Sequence, residues 1–344
     1  MKAFLGNRAF LVYLFGALAI LPVIANPYII FIGNLILIYM ILALGLNLLV
    51  GFAGQFSLAN AAMFGIGAYG AGLLQVSAKL PFWVALPGGA LIAMAIGTII
   101  ALPALKLSGL YLGLATLAFA QFTQWVFFNW RPVTHGAGGF AIPEVDFSLL
   151  ALRSDLGIYY VSWLLAIFLI ALAWNAMQSR IGRAFIAIRD GEIAAQALGI
   201  NLFKYKTMAF ALSGFYAGVA GGLYAALLNY VAPDSFDLFQ VVMQKTMVVV
   251  GGLGSIVGSI LGALFLVIAN EGLRQFKSAQ EIAFGALLLL SVLFMPDGIV
   301  VQIRKFLPGW NERFHAKPPS ALLGGGTPAS PSPADGIVDK REPR

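Results

Sequence analysis

The residues with chemistry to offer are polar side chains set inside strongly apolar sequence. The segment Gly45-Leu-Asn47-Leu-Leu-Val-Gly51-Phe-Ala-Gly54-Gln55-Phe-Ser57-Leu-Ala-Asn60 places an asparagine, a glutamine, a serine and a second asparagine among leucines and glycines. Polar groups in hydrocarbon must find partners, and glycine permits backbone geometry that other residues resist. Two readings fit. One is a broken helix whose freed backbone groups, with Asn47, Gln55, Ser57 and Asn60, line a solute pathway. The other is a tight interhelical turn in which Asn and Ser act as packing glue. A second run, Val250-Gly251-Gly252-Leu253-Gly254, echoes Val50-Gly51-Phe52-Ala53-Gly54. Paired glycine-interrupted segments can mark the pathway in transporters built from repeats, so Gly51, Gly54, Gly251 and Gly254 join the pathway candidates. The run from Gly65 to Gly72 reads as close helix packing.

Catalytic chemistry is poorly provided for. The chain has no cysteine and two histidines, His135 and His315. That excludes disulfides, thiol nucleophiles and Cys-ligated metals, and we expect neither a metal site nor a cofactor. No Ser-His-Asp cluster and no pair of intramembrane carboxylates is visible, so no enzyme activity is expected. Thr134 and His135, in the polar stretch before Pro143, Glu144, Asp146 and Asp155, are candidates for contact with solute or with an external protein. Lys245 stands out because it lies within an apolar stretch, where a lysine at the centre of a lone helix costs about 2.5–3.5 kcal/mol on insertion scales.

These residues need a scaffold, and composition dictates its kind. Of 344 residues 60% are hydrophobic and 10% charged, far fewer charges than the roughly 25% of a soluble domain. Lipid must solvate most of the exterior, and lipid demands that backbone groups be satisfied within helices. The fold class is therefore an all-α membrane protein, a polytopic helical bundle. A crossing needs roughly 20 residues. Apolar stretches of that order at 10–25, 28–50, 57–76, 82–102, 110–130, 158–177, 207–230, 236–250, 256–269 and 282–300 predict about ten transmembrane helices. Residues 1–25 also resemble a signal peptide and are read as a retained first helix.

The net charge of +7 follows membrane topology rather than nucleic-acid binding. Arg180, Arg183, Arg189, Lys204 and Lys206 outweigh Asp190 and Glu192 in the loop 178–206, which should be cytoplasmic. Both termini then fall on the same side and 131–157 outside. Residues 1–303 form the transmembrane domain, and 304–344 a cytoplasmic tail expected to be disordered from 318. Within the loop, residues 192–198 favour helix and Gly199 ends it. Its small apolar face, Ile193, Ala194 and Ala197, suits docking in a groove of a cytoplasmic partner better than anchoring in lipid. The chain has no G-x-x-x-x-G-K-S/T loop, so ATP energy would have to arrive through such a contact.

Several long motifs occur in family order. They are Gly45 to Ser57, Leu105-Lys-Leu-Ser-Gly-Leu-Tyr-Leu-Gly-Leu-Ala-Thr-Leu, Ser179-Arg-Ile-Gly-Arg-Ala-Phe-Ile-Ala-Ile-Arg-Asp, Ala194-Ala-Gln-Ala-Leu-Gly-Ile and Gly251-Gly-Leu-Gly-Ser-Ile-Val-Gly. In these the sequence resembles the branched-chain amino acid ABC permeases of the LivM/LivH family, over roughly residues 35–296. The resemblance implies the ABC importer permease fold in the cell inner membrane and import of leucine, isoleucine and valine. It also implies a second permease subunit, two cytoplasmic ATPase subunits that bind the ATP, and a periplasmic solute-binding protein. Arg189, Asp190, Glu192, Ala194, Ala195 and Gly199 would then form the coupling element. Two positions depart from the pattern: Ser259 stands where the family usually has proline, and Lys245 where it has an uncharged apolar residue. Relatives carry urea, amides or aromatic acids, which stay open as alternative solutes. A membrane-embedded enzyme and a passive channel are the readings from other classes, and the basic cytoplasmic helix-loop argues against the channel.

Overall fold

The computed structural model describes residues 26–104, 107, 109–147 and 154–274, with isolated positions at 14–16, 18, 19, 21, 22, 285, 286, 289, 298 and 299. The expected first span at 10–25, the last at 282–300 and the tail from 304 lie largely or wholly outside the described residues. The principal helices in chain order are α1 (Pro27–Asn47), α2 (Asn60–Val76), α3 (Phe82–Ala104), α4 (Gly109–Asn129), α5 (Ser154–Gln178), α6 (Arg180–Asp190), α7 (Glu192–Ala197), α8 (Leu202–Leu228), α9 (Leu238–Gly251) and α10 (Ile256–Leu273). A π-helical turn, Leu48–Phe52, continues α1.

Six of these are long and apolar enough to cross a membrane: α1 with its π turn, α3, α4, α5, α8 and α10. Helices also stand at the expected 57–76 and 236–250, but α2 has 17 residues and α9 has 14. At 1.5 Å per residue these span about 26 and 21 Å, less than a hydrocarbon core of about 30 Å. Non-helical chain at 53–59 precedes α2, and the short strand Tyr230–Val231 with the 3-10 turn Pro233–Phe236 precedes α9.

Helix α1 runs through the middle of the bundle, buried from Ile36 to Leu49 and packed between α5, α8, α9 and α10. Beside it, α2, α3 and α8 form a second tight group. Small residues make that approach possible. A side chain at Gly67 or Gly221 would fall on the backbone of the opposite helix, and one at Gly218 would meet the backbone and side chains of Ala90 and Ala93. Without a hydrophobic difference between helix and lipid, association rests on such van der Waals contact. The glycine run from Gly65 to Gly72 is packing of this kind.

The two ends of the bundle differ. At one, which we call the basic end, α6 and α7 lie between α5 and α8. At the other, β1 (Phe140–Ala141) pairs antiparallel with β2 (Tyr230–Val231), Phe140 opposite Val231. Beneath this ribbon an aromatic cluster fills the space between α2, α4 and the turn at Phe236, with Tyr69 stacked on Phe127 at 4.2 Å between ring centres and Phe64 edge-on to Phe236 at 5.4 Å.

The packing argument gives a matched pair of variants. Gly218→Val should destabilise the purified protein by about 1–3 kcal/mol or more through overpacking. Gly272→Ala, where an added methyl meets open space, should be neutral or stabilising by up to about 1 kcal/mol. Thermal unfolding in detergent compares the two directly.

Candidate functional site

The break in α1 comes first because other groups gather on it. The helix keeps its hydrogen-bonding to Asn47, then widens into the π turn, and Ala53 N–H and Gln55 N–H still reach back to the carbonyls of Leu48 and Leu49 at 3.1 and 3.0 Å. Gly54 then takes φ +69°, a conformation that a β-carbon resists, and the arginine stem packed beside it leaves no room for one. The chain runs on without helix to Ala59. Thr116 of α4 accepts the Leu58 N–H at 2.9 Å, and the Ser57 hydroxyl accepts the Ala59 N–H at 3.3 Å.

Asn47 ties this break to the second glycine run. Its amide nitrogen donates to the Ser255 carbonyl at 2.8 Å and to Ser259 Oγ at 2.7 Å, and its Oδ1 accepts the Gly254 N–H at 2.9 Å. A side chain at Gly51 would strike the Gly254 nitrogen. The two glycine runs that echo each other in sequence are thus in direct contact, with a fully buried asparagine between them. Ser255 also caps α10 through the Gly258 N–H at 2.9 Å, and Ser259 donates to the Ser255 carbonyl at 3.2 Å. Ser259 supplies a hydroxyl acceptor that a proline at this position would lack. Neither serine was a sequence candidate, because nothing local marks them as partners of a residue some 200 positions away.

The basic end attaches to the same break. Arg189, at the end of α6, donates to the Gly51 carbonyl at 3.2 Å and pairs with Asp190 at 3.1 Å. Glu192, the first residue of α7, accepts from Gln55 Nε2 at 3.3 Å and from Lys206 Nζ at 2.7 Å. The Lys206 side chain is 3% exposed and that of Glu192 37%. A cation so enclosed needs its partner, so the pair fixes α7 against α8 more firmly than a surface ion pair would. The short helix then presents its other face outward. Ile193 and Leu198 are 87% and 81% exposed, Ala194 and Ala197 are exposed beside them, and Ala195 is buried. Gly199, at φ +81°, ends the turn.

Asn60 lies deeper, at the start of α2. It donates to Gln244 of α9 at 3.0 Å and accepts from Ser213 of α8 at 3.2 Å. The next residue on α9, Lys245, has its ammonium 5.1 Å from the ring centre of Phe56. Thr134 and His135 are elsewhere. They precede β1, which pairs with β2 just beyond the far end of α8, whereas Lys206 is near the start of that helix. With 27 residues in α8, about 40 Å of helix separates the two ends. Thr134 is buried on the Trp130 carbonyl at 2.9 Å, and His135 is exposed beside Phe140. The site residues therefore fall into two groups, and the described residues gather no set of three or more His, Cys, Asp or Glu that could hold a metal.

This arrangement joins a broken central helix to a short helix with an exposed apolar face at the basic end. Residues 28–295 match the family described as branched-chain amino acid transport system / permease component. The chain belongs to that family. It is 32% identical to the high-affinity branched-chain amino acid transport system permease protein LivM of Escherichia coli K12, covering 87% of this chain and 76% of the relative. The Salmonella typhimurium LivM is likewise 32% identical, over 79% and 70%. The ribose import permease protein RbsC of Haemophilus influenzae is 28% identical, over 74% and 80%. No solved structure gives a significant match. The protein is accordingly a multi-pass membrane permease, one component of a transport system with other subunits, and these relatives are permeases rather than enzymes.

Replacing Asn47 by leucine would strand the Gly254 N–H and remove the donor to Ser255 and Ser259. Leaving such buried groups unmade costs roughly 1–3 kcal/mol each, so Asn47→Leu should lower the unfolding midpoint sharply. Thr98→Ala, which removes only a hydroxyl bonded within its own helix at 2.9 Å, should leave it nearly unchanged.

Proposed function

We propose that this chain is a permease subunit of an ATP-driven importer that carries leucine, isoleucine and valine across the cell inner membrane. Its partners in this reading are a second permease subunit, two ATPase subunits that bind the ATP, and a periplasmic solute-binding protein. The observation that carries it is the pair of exposed apolar residues on α7, Ile193 and Leu198, on a helix whose first residue is bonded to the break in the central helix. A helix of six residues has little stability of its own in water and gains order from a groove on a partner. Family membership supports the rest. In the same reading the bundle has about ten spans, both termini and the basic end face the cytoplasm, and residues 1–303 form the membrane domain. Gly51, Gly54, Gln55, Gly251 and Gly254 then lie at the cytoplasmic mouth of the pathway, Asn60 inside it, and Thr134 and His135 on the periplasmic side.

The likeness to ribose permeases supports a fold that serves unlike solutes, with the choice made by a few side chains. That keeps urea, amides and aromatic acids open as alternative solutes for the same machinery.

Coupling is tested at the exposed face. Ile193→Asp or Ala194→Arg should reduce solute-stimulated ATP hydrolysis and uptake in the reconstituted transporter by at least about tenfold, as loss of an interface anchor does. The permease itself should insert and unfold as before. Unchanged hydrolysis and uptake in both variants would remove the coupling assignment.

Orientation has its own test. Asp155→Cys, in the first turn of α5, and Arg180→Cys, at the start of α6 just past the other end of α5, introduced separately into this cysteine-free chain, should react with an impermeant thiol reagent from opposite sides of the membrane. Reaction of both from one side would refute the topology.

A further inference from the structure

One feature of the bundle is not used by the coupling geometry. A cavity of about 340 Å³ lies between α4, the irregular segment before α2, and α9, lined by Leu58, Leu117, Val241, Val242, Lys245 and Thr246 among others. That volume is within the roughly 300–1,000 Å³ of small-molecule sites. Its walls are aliphatic apart from two groups. The Thr246 hydroxyl is already used by the Val242 carbonyl at 2.8 Å. The Lys245 ammonium is buried and has no hydrogen-bond partner among the described residues.

An ammonium held this way has an unmet need. Its one neighbour of note is the Phe56 ring, which shields a face of it without neutralising it. Asp237, the nearest acid along the helix, caps α9 through the Gln240 N–H at 3.0 Å and stands eight residues, about 12 Å, away. Ionisable groups within a membrane bundle mark solute paths, and an anion is what this one lacks.

Resting on the importer reading, we propose that Lys245 forms a carboxylate subsite, holding the acid end of a small solute while Leu58, Leu117, Val241 and Val242 surround its branched aliphatic body. No lining residue is an acid, so the subsite takes no account of an α-ammonium. Leucine-type amino acids and their 2-oxo acids share the chemistry it recognises. Phe56 links this subsite to the rest of the machinery. It packs on Gly113 of α4, where a methyl would strike it, and follows Gln55, which is bonded to Glu192.

The test uses the complete transporter, with its ATPase and binding-protein partners, in proteoliposomes, and compares ATP-dependent uptake of leucine and of 4-methyl-2-oxopentanoate. Lys245→Met keeps the length of the side chain and removes the charge. It should lower uptake of the transported solute about ten- to a hundredfold, the worth of a charged hydrogen bond, in a complex that still assembles. Uptake by Lys245→Met at the wild-type rate overturns the subsite alone. A wild-type transporter that moves neither solute overturns the importer reading and the subsite with it, and uptake of one only identifies the source of the carboxylate. If Lys245→Met fails to insert, Lys245→Cys decides. Modification with a reagent that adds an aminoethyl group should restore uptake, and modification with a methyl-transferring reagent should not. Equal uptake after both treatments overturns the proposal.

Discussion

A backbone amide or carbonyl with no partner inside a membrane costs several kcal/mol, so a helix that stops there must have its ends met by protein. This constraint governs the arrangement seen here. The central helix stops at Asn47 and resumes as α2 only at Asn60, and the α9–α10 connection at Gly252–Ser255 is a second interruption at the same level. The second is met largely by a side chain of the first, since Asn47 donates to the Ser255 carbonyl and to Ser259 and accepts the Gly254 N–H. The glycines follow from this. At Gly51 a β-carbon would fall on the Asn47 side chain and the Gly254 nitrogen, and at Gly251 it would fall on the Gly258 backbone of α10.

Because the breaks share their hydrogen bonds, what moves one must move the other. Attached to this joint is the basic end, by Arg189 on the Gly51 carbonyl and by Glu192 on Gln55. Lys206 locks Glu192 to α8, and α8 is the helix against which α2 and α3 pack through small residues. A displacement of α7 therefore reaches the centre of the bundle through short polar contacts and rigid helices, elements whose bonds break and re-form rather than stretch. The separation of Thr134 and His135 from this joint, by the length of α8, places any solute contact they make at the opposite mouth.

Much of this was legible in sequence where the signal is local. Among the described residues the long apolar stretches are helices, the glycines and polar residues from 45 to 60 break one, and Gly199 ends α7 where its positive φ favours a residue without a β-carbon. The likeness of Val50-Gly51-Phe52-Ala53-Gly54 to Val250-Gly251-Gly252-Leu253-Gly254 was visible, but their contact was not, since it joins positions some 200 residues apart. Asn47 acts as packing glue, fully occupied by its partners, while Asn60 and Phe56 face the polar and cavity-lining side chains of α9. Lys206 illustrates the limit most clearly. Sequence placed it among the cations of a polar loop, and only the fold could show it buried against Glu192. The lengths of α2 and α9 were overestimated for a related reason. Apolar composition does not distinguish helix from irregular chain that is buried in protein, and 53–59 is such a chain.

Phe56 and Gln55 show why irregular chain is placed there at all. In a helix, neighbouring residues point about 100° apart and would share one rigid surface. In the extended segment between the π turn and α2, consecutive side chains can engage separate elements. Gln55 reaches the coupling helix through Glu192, and Phe56 reaches α4 and Lys245. The same short length of backbone thus touches both α7, with its exposed apolar face, and the wall of the aliphatic cavity. A small rotation at Gly54, whose φ of +69° lies in a region glycine leaves at little cost, would swing the two side chains together. In the proposed importer the break in the central helix would be the hinge by which the occupancy of the cavity and the position of α7 depend on each other.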